Sequence, residues 1–105
     1  MTAYRVLRHP DVAVDLFDIV DLIAEYAGVD VALRKLEEIE ATLRGLAQMP
    51  HIGSLRHDIF PDLRAIPTAR KGVVSFVVDD DRKEVLVISI TYAGADWISR
   101  AGKRR

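Results

Sequence analysis

Two apolar runs rich in β-branched residues, separated by a short charged segment, most constrain the fold of this chain. Residues 72–78 read Gly-Val-Val-Ser-Phe-Val-Val, and residues 85–92 read Val-Leu-Val-Ile-Ser-Ile-Thr-Tyr. The charged segment between them, residues 79–84, reads Asp-Asp-Asp-Arg-Lys-Glu. This pattern is typical of an antiparallel β-hairpin with a loop of a few residues. The sequence therefore predicts that this hairpin lies at the centre of the fold.

The two faces of the hairpin differ in side-chain size. Side chains alternate across a strand, so every second residue shares a face. We expect a bulky face made of Val74, Phe76, Val78, Leu86, Ile88 and Ile90. The smaller face would carry Val73, Ser75, Val77, Val85, Val87, Ser89 and Thr91. Helices are expected to cover the bulky face, and the smaller face is expected to be shallow and only partly covered.

Two amphipathic helices are predicted between residues 11 and 48. The first spans residues 11–27, and its apolar stripe consists of Val12, Leu16, Ile19, Ile23 and Tyr26. The second follows a break at Gly28, with Asp30 as a candidate cap, and runs to about Gln48. Its apolar stripe consists of Ala32, Leu36, Ile39, Leu43 and Leu46. The short connection predicts an antiparallel helical hairpin.

Two shorter strands complete the predicted order. Residues 3–8 are predicted to form a first strand that ends before Pro10, and residues 63–66 a strand limited by Pro67. The order β-α-α-β-β-β predicts an α+β domain with a helical hairpin packed on one face of a small antiparallel sheet. Residues 1–99 are expected to form this single domain, and residues 100–105 a mobile basic tail with nothing to bury.

The composition is that of an ordinary globular domain and excludes several classes of protein. Half of the 105 residues are hydrophobic, enough for one core. The absence of cysteine excludes disulfides and thiolate metal sites and suits a reducing cytoplasm. No apolar run approaches the roughly 20 residues that span a membrane, and the amino terminus lacks a signal-peptide pattern.

Charge divides the chain into two halves. Residues 1–50 hold five Lys and Arg residues against nine Asp and Glu residues, and residues 51–105 hold ten against seven. An acidic helical half and a basic sheet half indicate two surfaces with different partners.

Several short motifs, spread over nearly the whole chain, are informative through their order and spacing. They are Tyr4-Arg5-Val6, His9-Pro10-Asp11-Val12, Asp15-Leu16, Ile23-Ala24-Glu25-Tyr26, Leu46 to Pro50, Gly53, Leu63-Arg64, and Tyr92 to Trp97. In this arrangement the chain resembles the RelE/ParE superfamily of toxins from type II toxin–antitoxin modules, more closely on the ParE side. The resemblance implies the fold that the periodicity predicts independently. It also implies a cytoplasmic bacterial toxin held inactive by a cognate antitoxin.

The resemblance implies two alternative targets. ParE-like relatives poison DNA gyrase, whereas RelE-like relatives cleave messenger RNA in the ribosomal A site. The ribonuclease branch uses basic loop residues, arginines on a central strand and on the last strand, and a carboxy-terminal tyrosine or histidine. Arg64 matches the central-strand arginine, and Arg56 with His57 partly matches the basic loop. The predicted last strand has no arginine, Ala95 stands where many relatives have Arg or Gln, and the tail after Trp97 has no tyrosine or histidine.

RNA cleavage requires a base for the 2′-hydroxyl, cations for the phosphorane and an acid for the leaving oxygen. The sequence supplies arginines but no acid–base pair. We therefore expect a ParE-like gyrase inhibitor that is not an enzyme and is neutralised by a ParD-like antitoxin. Two alternatives remain open: a RelE-like ribosome-dependent endoribonuclease that relies on Arg64, and a non-toxic relic that only binds its antitoxin.

The resemblance and the charge pattern nominate two sets of contact residues. Those expected to contact the target are Arg56, His57, Arg64, Arg70, Lys71, Tyr92 and Trp97. Those expected to contact the antitoxin are Asp15, Asp18, Val73, Ser75 and Val77.

Each nominated group also has a structural interpretation. Arg64 suits an edge strand whose apolar surface its stem covers, and Trp97 suits the closure of one end of the core. The acidic residues of the first helix, including Asp15, suit its solvated face, and residues 79–81 suit a solvated hairpin tip. The three histidines lack ligand spacing, so neither a metal nor another cofactor is expected.

Overall fold

The computed structural model describes residues 3–104 and has the predicted α+β architecture, extended by one short strand and one helix. The strands are β1 (Arg5–Arg8), β2 (Ser54–Leu55), β3 (Arg64–Thr68), β4 (Gly72–Asp79) and β5 (Glu84–Tyr92). The helices are α1 (Val12–Ala27), α2 (Val29–Gly45) and α3 (Trp97–Lys103). The predicted hairpin is therefore confirmed as β4 and β5, and the helical hairpin as α1 and α2. No helix among these residues is long and apolar enough to cross a membrane.

The sheet is mixed and not wholly antiparallel as predicted. Its strand order is β1-β5-β4-β3-β2, and β1 pairs with β5 in parallel, with Val6 opposite Val85. The other neighbouring pairs are antiparallel. The helical hairpin returns the chain to the start of β1, where the Tyr4 N–H donates to the Ala47 carbonyl at 2.9 Å, and β2 runs opposite to β1. The chain reverses direction between β2 and β3, between β3 and β4 and between β4 and β5, so β5 runs parallel to β1.

The main core lies between the helical hairpin and one face of the sheet. Helical residues buried there are Val12, Ile19, Ile23, Ala32, Ile39, Leu43 and Leu46. Strand residues buried there are Ile66, Val74, Phe76, Val85, Val87 and Ile90. Each buried side chain of this size contributes about 1.5–3 kcal/mol of transfer free energy. The predicted helical stripes are confirmed at these positions, whereas Tyr26 is largely exposed.

The break between the helices is shorter than predicted. Gly28 has a φ of 93°, a conformation that suits glycine, and it directly precedes α2. Asp30 therefore lies in the first turn of α2 and does not cap it.

A β-bulge changes which residues of β5 face the helices. Ser75 pairs with Ser89, but Phe76 pairs with Val87, so Ile88 is an extra residue on β5. One extra residue reverses the alternation beyond the bulge. Val85 and Val87 therefore join the main core, and Leu86 and Ile88 lie against the other face. The prediction that Leu86 and Ile88 share the face of Phe76 is wrong for this reason.

A second apolar cluster covers part of the sheet face that was predicted to be shallow and only partly covered. Its buried members are Phe60, Leu63, Ile88 and Ala101. The partly buried residues packed against it are Ile59, Val77, Leu86 and Trp97. Helix α3 and the segment between β2 and β3 supply the cover. The uncovered parts of this face lie beside β3 and beside β1, where Leu7 is exposed.

Helix α3 extends into the segment predicted to be a mobile tail with nothing to bury. Ala101, on the inner side of α3, is fully buried. Arg104, directly after α3, forms a bidentate ion pair with Asp15, with an Nη2–Oδ1 distance of 2.8 Å. The packed part of the chain therefore reaches Arg104, beyond the predicted domain end at residue 99. Arg105 lies outside the described residues.

Asp15 is buried and does not lie on the solvated face of α1, where it was predicted. It is 2% exposed and accepts a hydrogen bond from the Ile90 N–H at 3.0 Å. Arg104 also donates to the Ile88 carbonyl at 3.2 Å. Because β1 ends at Arg8, opposite Val87, these two side chains satisfy backbone groups of β5 that lie beyond the end of β1. We call this arrangement the Asp15–Arg104 clamp.

Candidate functional site

The residues expected to form one basic rim are divided among three places. Arg64 stands opposite Phe76 in the ladder, which puts it on the side of the sheet that faces the helices. Arg56 lies between β2 and β3 and packs on Trp97 at the opposite face. Arg70 and Lys71 are in the turn after β3, at the other end of that strand from Arg64. These positions do not form a single binding surface.

The first cleft lies at the end of the sheet next to the hairpin tip and has a volume of about 240 Å³. It is lined by His51, Leu55, His57, Asp62, Arg64, Val78 and Asp80. Arg64 reaches it by donating from Nη1 to the His51 carbonyl at 2.9 Å. That bond fixes both the guanidinium and the segment that follows α2. We call this the His51–His57 cleft.

Asp80 ties three segments together at the edge of this cleft. It accepts a hydrogen bond from the Tyr4 hydroxyl at 2.7 Å and lies 2.7 Å from His51 Nε2. The rings of Tyr4 and His51 meet edge to face, with centroids 5.9 Å apart. The Tyr4 hydrogen bond, followed by the His51 contact, lowers the pKa of Asp80, and the bond to Asp80 raises the pKa of Tyr4. The hairpin tip is therefore anchored at Asp80 and is not merely solvated.

The two histidines of this cleft have complementary hydrogen bonds. The Asp62 N–H donates to His57 Nδ1 at 3.1 Å, so the neutral ring carries its proton on Nε2. The His51 Nε2 faces Asp80, which leaves Nδ1 as the free acceptor. An acceptor, a donor and the Arg64 cation thus line one cleft, and groups of these kinds transfer protons in the cleavage of phosphodiesters. This set could not be predicted from the spacing of the histidines, because the contacts that arrange it join His51 to Arg64 and Asp80, 13 and 29 residues away.

The second cleft lies on the opposite face of the sheet, beside β3, and also has a volume of about 240 Å³. It is lined by Ser54, Arg56, Ala65, Ile66, Pro67, Val73 and Trp97. The Arg56 guanidinium stacks 5.2 Å from the Trp97 ring centroid. Asp58 accepts two hydrogen bonds from Arg56, at 3.0 and 2.8 Å, which raise the pKa of Arg56 and lower that of Asp58. We call this the Arg56–Trp97 cleft.

Other predicted contact residues are buried or scattered. Tyr92 is 6% exposed in the main core, where burial and, to a lesser degree, Tyr26 raise its pKa. Ser75 is fully buried, with its Oγ 2.6 Å from the Oγ of Ser89. Of the residues assigned to the antitoxin, Asp18 is exposed, and Val73 and Val77 are half-buried. Asp15 and Ser75 offer no accessible side chain.

An apolar groove was not predicted from the sequence. It has a volume of about 400 Å³ and is lined by Ala41, Thr42, Gly45, Leu46, Met49, Ile52, Gly53, Ile66 and Pro67. The groove runs beside the edge of β3, where β2 pairs only with Arg64 and Ala65. Exposed Met49 and Ile52 could have indicated it, because both interrupt an otherwise polar loop.

A comparison with protein families decides the identity of the fold. A family model described as the ParE toxin of the type II toxin–antitoxin system parDE matches residues 6–97. The chain belongs to the ParE toxin family. It is thus a toxin-family protein of the RelE/ParE superfamily, on the ParE side, as the motifs predicted. No sequence among the curated proteins matches this ParE-family chain.

Solved structures share the fold of this ParE-family chain. A chain from the chromosomal ParDE toxin–antitoxin system of P. aeruginosa is 23% identical, with a TM-score of 0.73, and the match covers 87% of this chain and 97% of that one. A mutant of E. coli toxin RelE in the free state is 21% identical, with a TM-score of 0.65, and the match covers 97% of each chain. A chain of the RelBE2 toxin–antitoxin complex of Mycobacterium tuberculosis is 14% identical, with a TM-score of 0.67. The match covers 87% of this chain and 99% of that one. At these identities the structures support the fold alone.

Proposed function

We propose that this chain inhibits growth by binding DNA gyrase in the cytoplasm, without breaking a bond itself, and that a ParD-like antitoxin neutralises it. The observation that carries the proposal is the ParE family match over residues 6–97. The family description, which names the toxin–antitoxin system parDE, supports an antitoxin partner of the same kind.

The Arg56–Trp97 cleft is the surface we assign to the target. Tryptophan and arginine are the side chains that most often dominate the binding energy of protein interfaces. The base of α3 holds Trp97 against the second apolar cluster, and Asp58 holds the Arg56 guanidinium on the ring. A side-chain pair fixed in this way loses little conformational entropy on binding.

The composition of β5 also favours binding over catalysis. Its residues from Val85 to Tyr92 carry no charged side chain. Ser75 and Ser89 hydrogen-bond to each other in the middle of the sheet. β5 itself therefore supplies no cation for a phosphate.

A supercoiling assay tests the proposal. Purified chain added to gyrase and relaxed plasmid should reduce supercoiling in proportion to its concentration. Trp97→Ala should raise the half-inhibitory concentration by about tenfold or more, because it removes the aromatic anchor of the cleft. Ile98→Ala is the matched control on the exposed side of α3 and should change it by less than about twofold. Unimpaired supercoiling in the presence of a chain that arrests growth would reject gyrase as the target.

The His51–His57 cleft supports a second candidate, a ribosome-dependent endoribonuclease. The specific observation is that two histidines and Arg64 line one cleft. Under this alternative a translation extract containing the chain should show codon-positioned cleavage of messenger RNA, lost in His51→Ala and Arg64→Ala. His9→Ala is the control, because His9 binds the Asp11 N–H at the start of α1, away from the cleft. Harmless overexpression of the folded chain would instead favour a relic that only binds its antitoxin.

A further inference from the structure

The outward face of α1 is unusually apolar for an exposed helix surface. Phe17 is 71% exposed and Val14 56% exposed, and Leu22 is also exposed. Phe17 is the most exposed large hydrophobic residue in the described part of the chain. Single exposed apolar residues are ordinary, but Val14 and Phe17 are neighbours on one side of α1.

These residues continue into an acidic stripe on the same helix face. Val14, Phe17, Asp18, Asp21 and Glu25 follow the spacing i, i+3, i+4, i+7 and i+11, which places them in one row along α1. All five are exposed. The row is apolar towards the start of α1 and acidic towards its end. We call it the α1 stripe.

The three carboxylates of the stripe have no ion-pair partner within residues 3–104. Most other acidic residues do have such partners, as the pairs Glu37–Arg44 and Glu84–Arg5 illustrate, and the exceptions among residues 3–104 are Asp30, Asp81 and Asp96. Two features make the acidic end unfavourable for the free helix. Asp21 and Glu25 are like charges four residues apart, and Glu25 lies near the negative end of the helix dipole, where α1 has no basic residue.

We infer that the α1 stripe is a docking surface for a basic amphipathic helix of a partner protein. Val14 and Phe17 would receive the apolar side chains of that helix, and Lys or Arg residues on its flank would pair with Asp18, Asp21 and Glu25. The stripe spans eleven residue steps, about 16 Å or three helical turns, which matches a helix laid along α1. The inference rests on the proposed function only in naming the antitoxin as the source of that helix.

Charge separates this partner from the other possible occupants. A second copy of the chain would bring two acidic stripes together, and a nucleic acid or an anionic membrane would be repelled. A basic helix alone compensates the carboxylates that the chain itself leaves unpaired. Its association would be faster at low ionic strength, because opposite charges steer the encounter.

The test uses two designed 18-residue amphipathic peptides with the same leucine face. One carries lysines on its polar face and the other glutamates. Titrated into the isotopically labelled full chain, the lysine peptide should shift backbone amide signals of residues 14–25 and bind at least tenfold more tightly than the glutamate peptide. Its affinity should also fall as salt is raised from 50 to 500 mM.

Two variants with matched controls locate the site. Phe17→Ser should weaken the lysine peptide by about tenfold or more, whereas Met49→Ser, in the apolar groove, should leave it within about twofold. The triple variant Asp18→Asn/Asp21→Asn/Glu25→Gln should also weaken it by about tenfold. A variant with the same change in net charge, Asp30→Asn/Glu37→Gln/Asp81→Asn, should not.

Three results would overturn the inference. They are equal binding of the two peptides, signal shifts centred outside α1, and a self-association of the chain that Phe17→Ser abolishes. The supercoiling assay is independent of these readouts. Peptide binding without gyrase inhibition would reject gyrase as the target and leave the docking surface in place. Gyrase inhibition without peptide binding would reject the docking surface and leave gyrase as the target.

Discussion

At the scale of single residues, the carboxylate of Asp15 is the most constrained group in the molecule. It accepts hydrogen bonds from the Ile90 N–H and from both Nη atoms of Arg104, and Arg100 lies 3.3 Å away. Its side chain is 3% exposed, and that of Arg104 is 14% exposed. A charge in such a place is tolerated only because it is fully paired. The Asp15–Arg104 clamp therefore joins α1, β5 and the end of α3.

Asp15→Asn should destabilise the chain strongly. The change leaves two guanidinium groups without their carboxylate, so we expect the free energy of unfolding to fall by about 3–5 kcal/mol. Asp18→Asn makes the same chemical change three residues further along α1, where the side chain is exposed, and should stay within about 0.5 kcal/mol of the wild type. Urea unfolding followed by far-UV circular dichroism measures both. A loss below 1 kcal/mol for Asp15→Asn would show that the clamp does not form.

A double-mutant cycle isolates the clamp itself. If Asp15 and Arg104 act through each other, Asp15→Asn combined with Arg104→Met should cost much less than the sum of the single changes, with a coupling of about 1–3 kcal/mol. Simple additivity would mean that the two side chains act independently.

Asp80 predicts a specific dependence of stability on pH. Its pKa is lowered in the folded chain, by the Tyr4 hydrogen bond first and the His51 contact second. A carboxyl whose folded pKa lies below the unfolded value of about 3.9 stabilises the fold above that pH. The stabilisation is lost as the pH falls through the folded pKa. Asp80→Ala should therefore lower Tm at pH 6, and its Tm should converge with the wild-type value near about pH 2 in thermal scans. A difference that persists unchanged at low pH would contradict the assignment.

At the scale of the elements, hydrophobic periodicity was sufficient for the regular parts of the fold. The stripes of α1 and α2 and the two runs of the hairpin follow directly from periods of 3.6 and 2, so their positions could be predicted. The bulge at Ile88 could not, because an extra residue on one strand leaves no local mark in an apolar run. The parallel pairing of β1 is likewise a property of the whole topology.

Helix α3 shows why less of the candidate site than of the fold could be predicted from the sequence. Its residues 97–103, Trp-Ile-Ser-Arg-Ala-Gly-Lys, contain a single alanine as the buried centre, too weak a pattern for a stripe. The sequence predicts a mobile tail here because Asp15, the buried partner of Arg100 and Arg104, is 85 and 89 residues away in the chain. The pairing of His51 with Asp80 was missed for the same reason of distance.

Ala101→Asp should detach α3 from the sheet. A carboxylate at this fully buried position has no partner in the second apolar cluster, and we expect the free energy of unfolding to fall by about 2–4 kcal/mol. Trp97, the only tryptophan, reports on the detachment through a red shift of its fluorescence and greater quenching by acrylamide. Ile98→Asp places the same charge on the exposed side of α3 and should change neither signal. Unchanged fluorescence in Ala101→Asp would mean that α3 is not held by this contact.

At the scale of the whole molecule, the fold separates surfaces of opposite character. The acidic α1 stripe lies on the outer side of the helical hairpin, whereas the Arg56–Trp97 cleft lies on the opposite face of the sheet. This arrangement agrees with the division of charge along the sequence. A partner on α1 and a target at the cleft would then contact different sides of the chain, so neutralisation would act through the bulk of the antitoxin or through additional contacts.

The topology of a reporter plasmid after induction of the chain tests the central claim most directly. If the chain binds gyrase, plasmid extracted within minutes of induction should shift towards relaxed topoisomers on a chloroquine gel. Trp97→Ala should reduce that shift, and co-expression of the antitoxin should prevent it. Arrested growth with normally supercoiled plasmid would contradict the account.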